Sequence, residues 1–395
     1  MSISISLRAG AAVPAPGDQG GRADSTGPAV DAPAKGPAPA AGLSRKDADA
    51  AVKAALRAIE KEQRAPRQAE LASGTITAGG TGMRIWAAEF GKARQKRPLW
   101  ISMHGGGGAP APVNDQQWEN QKRLYRPAEG VYVAPRAPTN DWNLWHQAHV
   151  DELFQRLVES LVMCEGVDPD RVYLMGYSAG GDGVYQLAPR MADCFAAAAM
   201  MAGHPNETKP DGLRNLPFNL QVGALDGAFD RNAIASRWGE ALDALAKSDP
   251  GAYVHEVKVR QGKGHWMDGM DADALPWMAK HRRDPRPTKV VWLQDDVTHR
   301  RFYWLAVDRP EAGQRVVVER AGQEVRILEA PPGLELRIRL DDAMLDLDKD
   351  VRVMHAGTAL FEGRVPRLRA TIDRVLGERY DPSAAFTAEV AVRVP

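Results

Sequence analysis

The chain has 395 residues, with Lys+Arg and Asp+Glu both at 51 and 44% hydrophobic residues. That length predicts two domains plus a tail, and the zero formal net charge excludes the basic footprint of a nucleic-acid binder. No apolar run is long enough for a membrane-spanning helix. Two cysteines, Cys164 and Cys194, exclude a disulfide framework or a CxxC metal site, and free thiols are expected.

Residues 1–42 are rich in Ala, Gly, Pro, Asp and Ser and are expected to be a disordered tail. The opening MSISISLRAG has no continuous apolar core and reads as a poor secretory signal, so localisation stays open. Ser44-Arg45-Lys46-Asp47 resembles a capping box, and Val52, Ala55, Leu56 and Ile59 follow at helical spacing. Residues 43–69 are therefore expected to form a peripheral amphipathic helix.

Residues 70–280 alternate short apolar strands with helical stretches. Strands are expected at Met83–Ala88, Pro98–Met103, Val131–Ala134, Val172–Gly176, Ala196–Ala202, Phe218–Gly223 and Tyr253–Val259. Helices are expected at Val150–Val162, Ala179–Met191 and Asn232–Lys247. Helical crossovers between strands imply a mostly parallel sheet flanked by helices, an α/β class fold. Runs such as Ala196–Met201 suit strands covered on both faces.

Residues 281–288, charged and proline-rich, read as a linker. Residues 289–395 read as a small β-rich module. It contains a hairpin (Arg315–Arg320 with Gln323–Leu328), an alternating strand ending at Leu340, and one helix over Arg367–Leu376.

Gly176-Tyr177-Ser178-Ala179-Gly180 follows a strand and precedes a helix, the context of a nucleophile elbow. Its glycines permit a tight strained turn that presents Ser178, and the helix N-terminus favours a developing negative charge. His104-Gly105-Gly106-Gly107-Gly108, after another strand, is a candidate oxyanion loop, the donors being the amides of Ala179 and of Gly105 or Gly106.

An acid and then a base are needed downstream. Asp226, just past the strand ending at Gly223, is the expected acid, with Asp230 on the same loop as alternative. His265, in Gly264-His265-Trp266, is the expected base, its rivals being His255, His204 and His104. Trp142, Trp145, Trp266 and Tyr177 are candidate pocket walls, and His204 is expected at the cleft edge. Asp346–Asp350 departs from a calcium loop, with Val351 and Gly357 where glycine and glutamate are required. No metal and no cofactor are expected.

Taken together, His104–Gly107, Gly176–Gly181, Ala202-Gly203-His204-Pro205, Gly223–Asp226 and Gly264-His265-Trp266 resemble the poly(3-hydroxybutyrate) depolymerase and feruloyl-esterase-like branch of the α/β hydrolases. Similarity extends to dienelactone-hydrolase and prolyl-oligopeptidase-like relatives and covers roughly residues 70–280. The resemblance implies an α/β-hydrolase sheet and cleavage of small-molecule or polymeric carboxylic esters. It also implies Ser178 as nucleophile, Asp226 as acid, His265 as base and an oxyanion hole at Gly105 and Ala179. Two alternatives stand beside it. A prolyl-oligopeptidase-type peptidase usually carries a propeller, for which the ~70 residues before the sheet are too few. The other is a hydrolase fold that only binds.

Overall fold

The structure, a computed structural model, describes residues 42–395, and the expected tail falls outside it except for Gly42. Helix α1 (Arg45–Ser73) starts where Ser44 Oγ accepts the Asp47 amide at 3.1 Å, and Gly74 ends it with φ 70°. It ends four residues beyond the expected boundary at 69 and is clasped on two sides. Arg67 pairs with Glu159 at 3.0 Å, and Ala55 packs with Ile372 and Leu376 near the C-terminus.

The central sheet contains β1 (Thr75–Ala78), β2 (Thr81–Phe90), β3 (Arg97–Met103) and β4 (Gly130–Pro135), with helix α2 (Ala111–Leu124) between the last two. After helix α3 (Ala148–Glu165) come β5 (Val167–Tyr177), helix α4 (Ala179–Arg190), β6 (Ala197–Met201) and β7 (Phe218–Gly223). Helix α5 (Arg231–Ser248), β8 (His255–Arg260) and the short α6 (Ala274–Met278) complete it. The strand order is β1-β2-β4-β3-β5-β6-β7-β8. From β4 to β8 every pairing is parallel, while β1 and β2 join antiparallel at one edge. Strands β3, β4, β6 and β7 are buried at every position, as expected for strands covered on both faces.

One helix has no counterpart among the expected elements: α2 lies between the strands expected at Pro98–Met103 and Val131–Ala134. Its inward face carries Asn114, Trp118 and Gln121, at helical spacing but mostly polar, so no apolar period announced it.

The C-terminal region contributes β9 (Lys289–Leu293), β10 (Arg301–Phe302), β11 (Leu305–Val307), β12 (Arg315–Ala321), β13 (Glu324–Glu329) and β14 (Glu335–Leu340). Beyond these lie β15 (Val351–His355), β16 (Thr358–Gly363), α7 (Arg369–Glu378) and β17 (Ala388–Arg393). They form a sheet β10-β11-β14-β17 and a sheet β16-β15-β13-β12-β9. The hairpin β12–β13 pairs antiparallel around Ala321-Gly322.

A continuous set of buried side chains runs from Ile76, Leu174 and Phe154 in the first sheet and its helices to Val290, Trp304 and Ile338 in these sheets. The connecting segment is held tightly. Arg283 is buried and donates to Asp170 at 2.8 and 3.0 Å, to Asp381 at 2.6 and 2.9 Å and to the Asp193 carbonyl at 2.9 Å. Both cysteines are free. No helix among the described residues is long and apolar enough to cross a membrane.

Candidate active site

All the loops of interest leave the carboxyl ends of neighbouring parallel strands, where ligands gather in open α/β sheets. Ser178 occupies the turn between β5 and α4 with φ 59° and ψ −122°, a conformation that non-glycine residues rarely adopt. The surroundings enforce it. A Cβ on Gly176 would lie 2.2 Å from the Gly180 carbonyl oxygen, and one on Gly180 would lie 2.2 Å from that of Met103. The elbow is thus wedged against the end of β3, and the Ser178 amide donates to the Met201 carbonyl at 2.9 Å.

The structure brings Ser178, His265 and Asp226 into one chain of contacts. Ser178 Oγ lies 2.9 Å from His265 Nε2, and His265 Nδ1 lies 2.9 Å from Asp226 Oδ2. Asp226 is almost wholly buried, whereas the His265 side chain is 42% exposed and so reachable from solvent. The Asp226 loop is fixed by its own backbone: its carbonyl accepts the Asn232 amide at 3.1 Å, and its amide donates to Gly223. Asp230 is exposed with φ 54°, and its carboxylate makes no hydrogen bond among the described residues. Of the two carboxylates on this loop, Asp226 faces His265.

Tyr177, expected as a pocket wall, is buried and acts from behind the site. Its hydroxyl donates to the His265 carbonyl at 2.6 Å and accepts the Met267 amide at 3.1 Å, while its ring packs beside His265 and Trp266. Burial, reinforced by the Asp271 carboxylate, pushes the phenol above its ordinary pKa, so it stays a protonated donor.

The glycine loop runs directly against the serine. A Cβ on Gly105 would sit 3.1 Å from Ser178 Cβ and 3.7 Å from its Oγ. Gly106, Gly107 and Gly108 have φ of 107°, 84° and 60°, left-handed values that suit glycine. The amides of Gly105, Gly106 and Ala179 donate to no protein acceptor among the described residues, whereas Gly107 N–H is taken by Asn114 Oδ1 at 2.8 Å.

His104 underpins the loop. It is fully buried, its Nδ1 bonds the Gly105 carbonyl at 2.6 Å, and its Nε2 accepts the Ala137 amide at 3.1 Å. Burial lowers its pKa to about 4, so the ring is neutral with the proton on Nδ1. Trp145 requires a correction. It was expected in a pocket wall but is completely buried, donating its indole N–H to the His104 carbonyl at 2.9 Å. It carries the loop and offers no surface to a substrate.

His204 is held within its own turn. Its amide donates to Asp182 Oδ1 at 2.6 Å, and its Nδ1 accepts the Asn206 amide at 2.9 Å. His255, the first residue of β8, is tied to the Tyr253 carbonyl and to Asp243 of α5. Trp142 and Trp266 are exposed, as are Leu225, Phe229 and Met270, and all five belong to loops that carry or adjoin the residues above. Asn114 had no sequence signal, being one polar residue in a segment without apolar period.

The sheet order, the parallel crossovers and the strand–serine–helix turn define an α/β-hydrolase fold. No family model matches the chain. A putative esterase, NocK, of Nocardia uniformis subsp. tsuyamanensis is 33% identical over 130 residues, 29% of this chain and 37% of that protein. The chain thus spans little more than a third of that relative's length.

Among solved structures, the chain is similar to a ferulic acid esterase at 18% identity, covering 52% of this chain and 96% of that one, with a TM-score of 0.38. LpqC, a poly(3-hydroxybutyrate) depolymerase from Bordetella parapertussis, is also 18% identical, over 52% and 87%, with a TM-score of 0.38. A putative dienelactone hydrolase from Klebsiella pneumoniae is 18% identical over 52% and 96%, with a TM-score of 0.39.

Proposed function

We propose that the chain is a serine hydrolase that cleaves carboxylic esters through a covalent acyl-enzyme. The observation that carries this reading is the contact chain Ser178–His265–Asp226, with 2.9 Å at each step, beside unpaired loop and helix amides. Ser178 Oγ attacks the ester carbonyl carbon as His265 Nε2 takes its proton. Asp226 holds the Nδ1 proton and stabilises the imidazolium.

The tetrahedral oxyanion is received by the amide of Ala179 and that of Gly105 or Gly106, at the N-terminus of α4. One such donor is worth about 2.7–4 kcal/mol to the transition state. Collapse returns the proton from His265 to the leaving alcohol. Water, deprotonated by the same imidazole, then releases the acid and restores Ser178.

The exposed apolar side chains Trp142, Leu225, Phe229, Trp266 and Met270 support a substrate with an apolar acyl or alcohol part, in a small molecule or a polymer. The test is a screen of p-nitrophenyl esters of increasing acyl length against matched p-nitroanilides. Ester turnover that a fluorophosphonate abolishes is expected. Amide turnover alone would replace the reading with a peptidase, and neither turnover nor labelling would leave a binding protein.

A further inference from the structure

Arg301, at the start of β10, points its guanidinium into the seam between α3 and the C-terminal sheets, where Nη2 donates to the neutral Gln155 Oε1. The buried arginines Arg67, Arg190, Arg283 and Arg339 pair with Glu159, Asp151, Asp381 and Glu378, and the half-buried Arg379 pairs with Asp193. Arg301 has no carboxylate within ion-pair distance among the described residues, and its Nε and Nη1 donate to no protein acceptor.

Beside it lies a cavity of about 330 Å³ lined by Asp151, Glu152, Asp193, His299, Arg300 and Arg379. The acids there are largely committed. Asp151 holds Arg190 at 2.6 Å and His299 Nε2 at 2.8 Å, and Asp193 holds Arg379 at 2.7 Å. Glu152 and Arg300, both exposed, stand at the rim. Arg301, half-buried, is therefore the cation lining the cavity wall that no carboxylate contacts directly. Burial, and then repulsion from Arg379, hold it below its ordinary pKa, a cost that an anion in the cavity would relieve.

We propose that this cavity is a binding site for a small oxyanion, a phosphate or carboxylate group, received by the unused N–H groups of Arg301. A guanidinium keeps its charge at all working pH values and offers directed donors, the equipment oxyanion recognition requires. The site lies between α3 and β10, so an occupant ties the C-terminal sheets to the hydrolase sheet. The proposal is independent of the ester reading, because none of these residues belongs to the Ser178 contact chain.

The full chain is titrated with inorganic phosphate, and separately with citrate, against chloride at equal ionic strength, following thermal unfolding and heat of binding. Saturable stabilisation by one oxyanion class is expected, with half-saturation at or below ~1 mM. Arg301→Gln should weaken it at least tenfold, Arg300→Gln by less, and Ser178→Ala not at all. As a readout that does not depend on a variant folding, phosphate or citrate should protect Arg301 from phenylglyoxal modification, seen by peptide mass. No oxyanion effect beyond chloride, equal affinity in Arg301→Gln, or unprotected Arg301 would overturn the site.

Discussion

Tyr177 donates its phenolic proton to the backbone carbonyl of His265 at 2.6 Å, so the residue before the candidate nucleophile holds the loop of the candidate base. The same oxygen accepts the Met267 amide, and Met267 is fully buried, so no water substitutes readily for the phenol. Tyr177→Phe keeps the ring contacts and removes both hydrogen bonds. It should lower kcat about tenfold, or about 1.4 kcal/mol, with KM nearly unchanged. Steady-state kinetics on a p-nitrophenyl ester, with folding checked by circular dichroism, provide the test. An unchanged kcat, or a loss confined to KM, would mean that Tyr177 does not position His265.

The two carboxylates of the 226–230 loop should separate sharply. Asp226→Asn leaves His265 Nδ1 facing an amide and favours the wrong tautomer, so kcat should fall on the order of 10⁴-fold. Asp230→Asn, exposed and unbonded, should stay within about twofold of the parent. Reversal of that order would move the acid to Asp230.

Stability should decline as pH falls from about 6.5 toward 4. His104 and His146 are each lowered by burial to about 4, so the unfolded chain binds more protons than the native one across that window. Each histidine can therefore lose up to about 3 kcal/mol. Asp182 works the other way: burial raises its carboxyl to about 6, so the native state gains on protonation below that pH. Burial raises Asp271 and Asp295 as well, but it lowers His281, and cations hold Asp249 and Asp381 low, so the net slope is toward acid lability. Urea midpoints at pH 7.5, 6, 5 and 4.5 measure it, and a constant or rising midpoint would contradict the assignment of buried neutral imidazoles.

Arg283 ties the hydrolase sheet to the C-terminal sheets, and its loss should be felt by both together. Arg283→Met strands Asp170 and Asp381 without their shared cation, at a cost of about 3–5 kcal/mol. Burial by itself would raise the Asp381 carboxyl, yet Arg283 and Arg379 hold it well below the usual range, a measure of how strongly the cations act. Chemical denaturation followed by near-ultraviolet circular dichroism should show one earlier transition. A loss below about 1 kcal/mol would show that the apolar contacts alone hold the seam.

Much of this arrangement was legible because backbone crowding dictates residue type. Gly176 and Gly180 stand where any Cβ would strike a carbonyl at 2.2 Å, so the elbow pattern carries its own geometry. The alternation of apolar strands and helices likewise announced the parallel sheet. The acid was harder: Asp226 is favoured by its place just past the strand ending at Gly223, but Asp230 lies on the same loop. Only the loop's internal bonds, such as Asn232 N–H to the Asp226 carbonyl, decide which one turns inward.

Other features had no local signal. Helix α2 buries Asn114 and Gln121, which serve the glycine loop and Ser102, and so it lacks an apolar period. Trp145 looked the same in sequence as the exposed Trp142, although one supports His104 and the other meets solvent. Arg283 sits in a segment with the composition of a solvated linker. Its partners Asp170 and Asp381 lie 113 and 98 residues away, beyond the reach of any local pattern.

The proposed chemistry depends on Ser178, and one comparison tests that residue most directly. Parent and Ser178→Ala chains are treated with a fluorophosphonate probe and assayed on a short p-nitrophenyl ester. The parent should label at the Ser178 peptide and lose turnover in step with labelling. The variant should remain unlabelled, with kcat at least ~10³-fold lower. Ester hydrolysis by the variant at the parent's rate would contradict it.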